Sequence, residues 1–188
     1  EAGDQRVLYN CLSFDNTCLT GAGFDQNQAA APFVPKKLYN CVGFNNDGAN
    51  FQFNLASGST IRNCISVGGG DADEFGDSTC DHNSWQDGLT ASAADFASVS
   101  STEAKGARRA DGSLPLLSFL HLVAGSDLIG AGVDVGSTLD GDNYSWDSPP
   151  SIGAFEYNGA SIPVTTVTVT GTGGATTITV DNGTLQML

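Results

Sequence analysis

Leu8-Tyr9-Asn10-Cys11-Leu12-Ser13-Phe14-Asp15-Asn16 is echoed by Leu38-Tyr39-Asn40-Cys41-Val42-Gly43-Phe44-Asn45-Asn46 and again by Ile61-Arg62-Asn63-Cys64-Ile65-Ser66-Val67-Gly68-Gly69. A decayed fourth copy reads Cys80-Asp81-His82-Asn83-Ser84-Trp85. Aligned on Asn10, Asn40, Asn63 and Asn83, the copies are 30, 23 and 20 residues apart. Periods of this length belong to solenoids, in which each repeat is one rung and buries its apolar face only against its neighbours. Each copy holds a short β-prone run, an Asn, and a second short β-prone run. None has the ten or more residues at helical period that a repeat helix needs. The pattern is that of a parallel β-helix.

The Asn fits the bend between two strands. It tolerates the left-handed backbone conformation, and its amide can bond nearby backbone groups. Stacked coil on coil, Asn10, Asn40 and Asn63 are expected to form a ladder. The next position gives a second ladder, Cys11, Cys41 and Cys64, of small, nearly apolar side chains in the interior. No convergent set of ligands around these thiols suggests a metal site. Cys18 and Cys80 lie outside the ladder, and a disulfide between them is a weak possibility from the odd count of five.

Composition agrees with this reading. The chain has 188 residues, 24 of them Gly, and only 15% are charged. Aliphatic and aromatic residues recur throughout, which separates this turn-rich chain from a disordered one. No run of 18 apolar residues is present, so no membrane partner is expected. A net charge of −14 with seven Lys and Arg argues against nucleic acid. The same acidity repels a polyanionic sugar unless a divalent cation reverses the local field. The opening Glu1-Ala2-Gly3-Asp4 runs directly into a rung, as expected of a piece of a longer or processed chain.

Between the copies, Gly23-Phe24-Asp25-Gln26-Asn27 and Asn50-Phe51-Gln52-Phe53-Asn54 read as matching strands. Alternation puts Phe24, Phe51 and Phe53 inside and Asp25, Asn27, Gln52 and Asn54 on one outer face. That face is either a solvated surface or a polar wall along which a polysaccharide can lie. The loop from Gly68 to Asp77 carries Asp71, Asp73, Glu74 and Asp77, a candidate Ca²⁺ site or a solvated loop. Asp140-Gly141-Asp142-Asn143 with Asp147 is a second acidic turn of the same kind. Ser92 can cap a short helix at Ala93-Ala94-Asp95. Leu116 to Val123 reads as a short helix or a lid over the end of the solenoid, where core side chains need cover. Ile152 to Tyr157 reads as the last strand of the domain. The Val/Thr alternation from Val164 reads as a hairpin that has no core of its own.

Several of these stretches resemble the late coils and C-terminal seal of pectate lyases of polysaccharide lyase family nine. They are Gly23 to Asn27, Leu38 to Cys41, Asn45-Asn46-Asp47-Gly48, Ala94-Asp95-Phe96, Arg109 to Pro115, Gly125 to Ile129, and Gly153 to Tyr157. The tail from Val164 resembles the opening strands of a bacterial immunoglobulin-like domain. The resemblance implies an all-β, right-handed parallel β-helix with an irregular or short-helix C-terminal cap and a β-hairpin tail. The expected divisions are coils over 1–90, cap and seal over 91–157, a linker over 158–163, and a strand tail over 164–188. The resemblance also implies a secreted, extracellular or cell-surface bacterial protein that acts on acidic plant-type polysaccharide by β-elimination. In that family a Lys is the base and Ca²⁺ neutralises the uronate carboxylate.

No position here matches the family's Lys or its calcium-binding Asp cluster, so no catalytic residue is assigned. The chain is then expected to be a non-catalytic portion of a lyase-like protein. The alternatives are a carbohydrate-binding or adhesion module, and a subunit of an extracellular filament that pairs with copies of itself.

Overall fold

The computed structural model describes residues 6–18, 21–26, 34–54, 58–108, 112, 117–159, 165–171 and 174–180, the last two segments by backbone alone. Three short strands make each complete coil. The first coil holds β1 (Arg6–Tyr9), β2 (Leu12–Phe14) and β3 (Phe24–Asp25), and the second holds β4 (Lys36–Tyr39), β5 (Val42–Phe44) and β6 (Phe51–Gln52). The third contributes β7 (Thr60–Arg62) and β8 (Ile65–Val67), and the fourth contributes β9 (Thr79–Asp81). Like pairs with like in three parallel sheets, ordered β1-β4-β7-β9, β2-β5-β8 and β3-β6. A bridge between Gln52 and Glu74 carries the third sheet one coil further. The fold is an all-β, right-handed parallel β-helix.

Register sets identical sequence positions over one another. Leu8, Leu38, Ile61 and Cys80 form one row. Asn10, Asn40 and Asn63 all adopt φ between 52° and 55°, the left-handed bend between the first two strands of a coil. Asn40 Nδ2 donates to Asn10 Oδ1 at 3.1 Å, and Asn63 Nδ2 donates to Asn40 Oδ1 at 2.9 Å. These bonds satisfy the amides that a bend would otherwise leave unpaired.

The fourth copy is shifted by one residue from the alignment drawn on asparagines. Cys80 and Asp81 pair with Ile61 and Arg62, so His82, at φ 51°, occupies the bend and Asn83 the position after it. The bend accepts His because its side chain there is 43% exposed.

Two apolar clusters hold the molecule. Leu38, Cys41, Phe51, Phe53, Ile61 and Cys64 fill the coil interior. There Phe24 stacks on Phe51 at 5.2 Å and Phe75 on Trp85 at 4.8 Å, pairs worth about 0.5–1.5 kcal/mol each beyond their burial. The second cluster lies outside the coil. Leu12, Phe14, Val42, Phe44, Ile65 and Val67 join Phe96, Phe119, Leu122, Leu128 and Ile152 of the C-terminal segment. Phe119 is fully buried, edge-on to Phe14 and Phe44.

The expected lid over the solenoid end is therefore a cover over its flank. The outward side chains of β2, β5 and β8 are apolar, and this is the surface that most needs burial. The cover is also not helical where it was expected to be. Phe119 and Leu122 form bridges to Ser98 and Phe96. Ser92 does cap a single 3₁₀ turn, Ala93–Asp95, in a capping box, and α1 (Ser101–Ala104) follows it.

Ile152 to Tyr157 is a set of bends, not a strand. Gly153 there has φ 114°, and the buried Glu156 carboxylate accepts the N–H groups of Asp147, Ser151 and Tyr157. A carboxylate that gathers three amides curls the chain. The tail strands β10 (Thr165–Gly171) and β11 (Gly174–Val180) pair antiparallel as a hairpin.

Candidate functional site

The polar wall lies on the outer side of the β3-β6 sheet. Phe24 and Phe51 point inward and stack, which turns Asp25 and Gln52 out in register. Asn54 is exposed on the same face, and Asn27 lies outside the described residues. The side chains are tied to one another. Gln26 Nε2 donates to Asn54 Oδ1 at 3.3 Å, Asn54 Nδ2 donates to Glu74 at 2.7 Å, and Gln52 reaches the same carboxylate at 3.5 Å. Much of the wall's amide capacity is spent internally. Its formal charges, on Asp25 and Glu74, are negative.

The acidic loop is built into this wall. Asp73 Oδ1 accepts the Phe51 backbone N–H at 2.8 Å, and Glu74 bridges to β6 and receives Asn54. Asp71 and Asp77 are exposed. Among the described residues, no three His, Cys, Asp or Glu side chains converge as a cation would require. Asp71, Asp73, Glu74 and Asp77 are therefore not gathered around one point as a Ca²⁺ ligand set, and Asp73 and Glu74 are also bonded to the sheet.

The second acidic turn is organised likewise. Asp140 is buried and accepts the N–H groups of Asp142, Tyr144 and Glu156 at 2.8–2.9 Å. Burial pushes its pKa up, against the pull of those amides. Its oxygens shape the turn and leave little to offer a cation.

Cys11, Cys41 and Cys64 form a column, half-buried at Cys11 and fully buried at the other two, without a disulfide. Cys11, Cys41, Cys64, Cys18 and Cys80 are all free. Cys18 lies in the first coil, between β2 and β3, and Cys80 in the fourth, three strand spacings on, roughly 14 Å, which is beyond disulfide reach. Hydrogen bonding to Cys41, then burial, pushes the Cys11 thiol up. Cys41 is drawn down by Cys11 but raised further by Cys64 and burial, for a net shift well upward. Cys80 is pushed up to about 11, chiefly by burial. None of these three is an activated nucleophile.

The remaining bases are engaged or isolated. Lys36 Nζ donates to the Val34 carbonyl, and Lys105 Nζ pairs with Asp15 at 2.6 Å. His121 sits between Asp142, 2.7 Å from its Nε2, and the Phe119 carbonyl, 3.2 Å from its Nδ1. Its ring stacks on Phe155 at 3.9 Å. Both nitrogens are thereby occupied within the flank cover.

A cavity of about 450 Å³ lies beside the Asn ladder, lined among others by Asn40, Asn63, Asp134, Trp146 and Asp147. The ladder and this segment are joined: Asn63 Nδ2 donates to the Val133 carbonyl and Asn63 Oδ1 accepts the Val133 N–H. No repeat marks residues 132–150, so nothing in the sequence linked them to the coils.

Comparison with known proteins gives a consistent picture. No family model matches the sequence. Pectate lyase L of Dickeya dadantii (strain 3937) is 36% identical over 160 residues, covering 83% of this chain and 34% of that protein. Pectate lyase L of Dickeya chrysanthemi aligns with the same identity and coverage. Among solved structures, the crystal structure of pectate lyase Pel9A superposes with a TM-score of 0.58 at 26% identity, over 82% of this chain and 46% of that one. The chain spans about a third of the length of the curated relatives it matches. It is a pectate lyase-like β-helix.

Proposed function

We propose that this pectate lyase-like β-helix is a polysaccharide-binding portion of an extracellular, lyase-like protein, and that it holds acidic plant-type polysaccharide without cleaving it. The observation that carries the reading is the 160-residue alignment with pectate lyase L, laid over coils whose like residues stack in register. Flat parallel sheets offer an extended sugar chain a long, regular surface. Among the described residues no helix is long and apolar enough to cross a membrane.

The non-catalytic part of the proposal rests on the bases. β-Elimination needs a free base beside the uronate and a positive centre on its carboxylate. Lys105 is neutralised by Asp15, and Lys36 is bonded to a backbone carbonyl. Among the described residues, no group of three His, Cys, Asp or Glu that could hold a cation stands beside Lys37.

Electrophoresis of the chain through a gel containing polygalacturonate tests the proposal. The expected result is retardation relative to a gel containing neutral dextran. Equal mobility in the two gels overturns it.

A further inference from the structure

The wall on β3 and β6 carries carboxylates, so an anionic sugar is held there only through a divalent cation, and recognition without one needs another surface. The outer face of the β1-β4-β7-β9 sheet has the opposite character. Leu8, Leu38 and Ile61 point into the coil, which turns their neighbours outward in rows. Register sets Tyr9, Tyr39, Arg62 and Asp81 in one row, and Val7, Lys37, Thr60 and Thr79 in the next. Adjacent members of a row are one strand spacing apart, about 4.8 Å.

The charge balance of this sheet is unlike the rest of the chain. Its strands read RVLY, KKLY, TIR and TCD; alternation turns Lys37 and Arg62 outward with Asp81, while Arg6 and Lys36 share the side of Leu8 and Leu38. The whole chain has seven Lys and Arg and 21 Asp and Glu. The outward face of this sheet thus carries two cations to one acid, the reverse of the chain's acidic excess.

The aromatic content matches. Tyr9 and Tyr39 have ring centroids 5.2 Å apart, tilted at 46°. Tyr9 is 42% exposed and Val7 44%. Lys37 has no ion-pair partner among the described residues. Arg62 meets Asp81 at 2.8 Å, but that pair is more than a third exposed on both sides, so a polyanion can compete for the guanidinium. Tyr supplies rigid, amphipathic contact area at low entropic cost. Arg and Lys supply charge-assisted bonds to carboxylates.

We infer that this face docks an anionic polysaccharide, with uronate carboxylates on Lys37 and Arg62 and sugar-ring faces on the Tyr9–Tyr39 pair. The inference rests on the polysaccharide reading above and adds to it the surface and the chemistry of recognition. It also resolves the charge conflict: the ligand lies on the basic sheet and turns away from the acidic wall.

The test measures binding of the full 188-residue chain to polygalacturonate, with double-stranded DNA as a second polyanion. The variants are Lys37→Glu, Tyr9→Ala and, on the wall, Asn54→Ala, with Lys37→Met as a second substitution at the basic position. Far-ultraviolet circular dichroism checks that each is folded. Lys37→Glu is expected to weaken polygalacturonate binding about tenfold, with the loss shrinking in high salt. Tyr9→Ala weakens it several-fold at any salt, and Asn54→Ala leaves it unchanged. Wild-type binding that survives Lys37→Glu, Lys37→Met and Tyr9→Ala overturns this docking surface and leaves the polysaccharide reading standing. DNA binding as strong as polygalacturonate binding also overturns it, because charge alone would then be recognised. Absence of wild-type binding to polygalacturonate overturns both.

Discussion

Asn83 lies one coil beyond Cys64, and its Oδ1 accepts the Cys64 backbone N–H at 2.8 Å. Its Nδ2 donates to the Ile61 carbonyl at 2.9 Å and to Gln86 at 2.8 Å. The column Cys11, Cys41, Cys64 thus ends in an amide. Where the regular strand stops, a fully buried Asn supplies the bonds that a further coil would have made. His82, at the bend, makes no comparable set of bonds.

Replacing Asn83 should therefore cost far more than replacing His82. Asn83→Ala strands the Cys64 N–H and the Ile61 carbonyl, at about 1–3 kcal/mol per buried group. His82→Asn should be neutral within about 0.5 kcal/mol, since Asn tolerates the left-handed bend. Urea unfolding midpoints of the two variants check this. A greater loss for His82→Asn would restore the register drawn from the sequence.

Asn63→Ala is expected to be among the most damaging single changes. It empties a fully buried site, breaks the bond to Asn40 Oδ1 and frees both Val133 groups. The loss is on the order of 4 kcal/mol. Asn63→Gly relieves only the backbone part and should recover about 1 kcal/mol of it. Because Val133 belongs to the segment covering the flank, proteolysis of residues 131–150 should quicken in both variants.

Gly70 tests how closely the coils approach. A Cβ there would stand 1.9 Å from the Asp47 carbonyl oxygen, which is backbone and cannot swing aside. Gly70→Ala should cost about 3 kcal/mol as overpacking. Gly88→Ala, where a Cβ meets nothing within 4 Å, carries only the strain of its positive φ, about 1 kcal/mol. Comparable thermal midpoints for the two variants would contradict this packing.

Asp15 anchors the C-terminal cover to the first coil, and its ionisation sets an acid limit. Lys105 first, then Ser101 and Asn45, hold its pKa down at about 2. An unfolded Asp titrates near 3.9. The contribution is therefore full above about pH 4 and is lost as pH falls through about 2. Lys105 is 56% exposed, so Lys105→Ala should cost under about 1 kcal/mol at neutral pH. The gap between variant and wild type should close by about pH 2. A gap that stays constant across that window would show that the ion pair contributes nothing.

Thiol labelling reads the cysteine column directly. Cys18 is exposed, whereas Cys41 and Cys64 are fully buried. A disulfide-exchange reagent at neutral pH should react rapidly with Cys18 and reach Cys41 and Cys64 only on unfolding. Fast reaction of either would mean that the column is open to solvent.

The coils were legible because the Asn-Cys step repeats, and stacking demands like residues at like positions. The fourth copy was misplaced by one because His took the bend and Asn the interior site, a swap that the letters alone align wrongly. The flank cover was read as an end lid, and Leu116 to Val123 as helical, because that segment has no repeat. Its partner, the outward row Leu12, Phe14, Val42, Phe44, Ile65 and Val67, shows only once the sheets are assembled. The basic face was overlooked for a related reason. Tyr9, Tyr39 and Arg62 lie inside the repeats and Lys37 just before one, but their common side emerges only from the register between strands. The acidic loop carried the density of carboxylates that a cation needs, yet folding spends Asp73 and Glu74 on the wall.

The central claim is that this chain holds acidic polysaccharide and does not cut it. The most direct measurement is ultraviolet absorbance of unsaturated uronide products when the 188-residue chain is incubated with polygalacturonate and Ca²⁺. The account predicts a flat trace from protein that is retarded by the same polymer. A calcium-dependent rise in absorbance, in proportion to the amount of chain added, would contradict it.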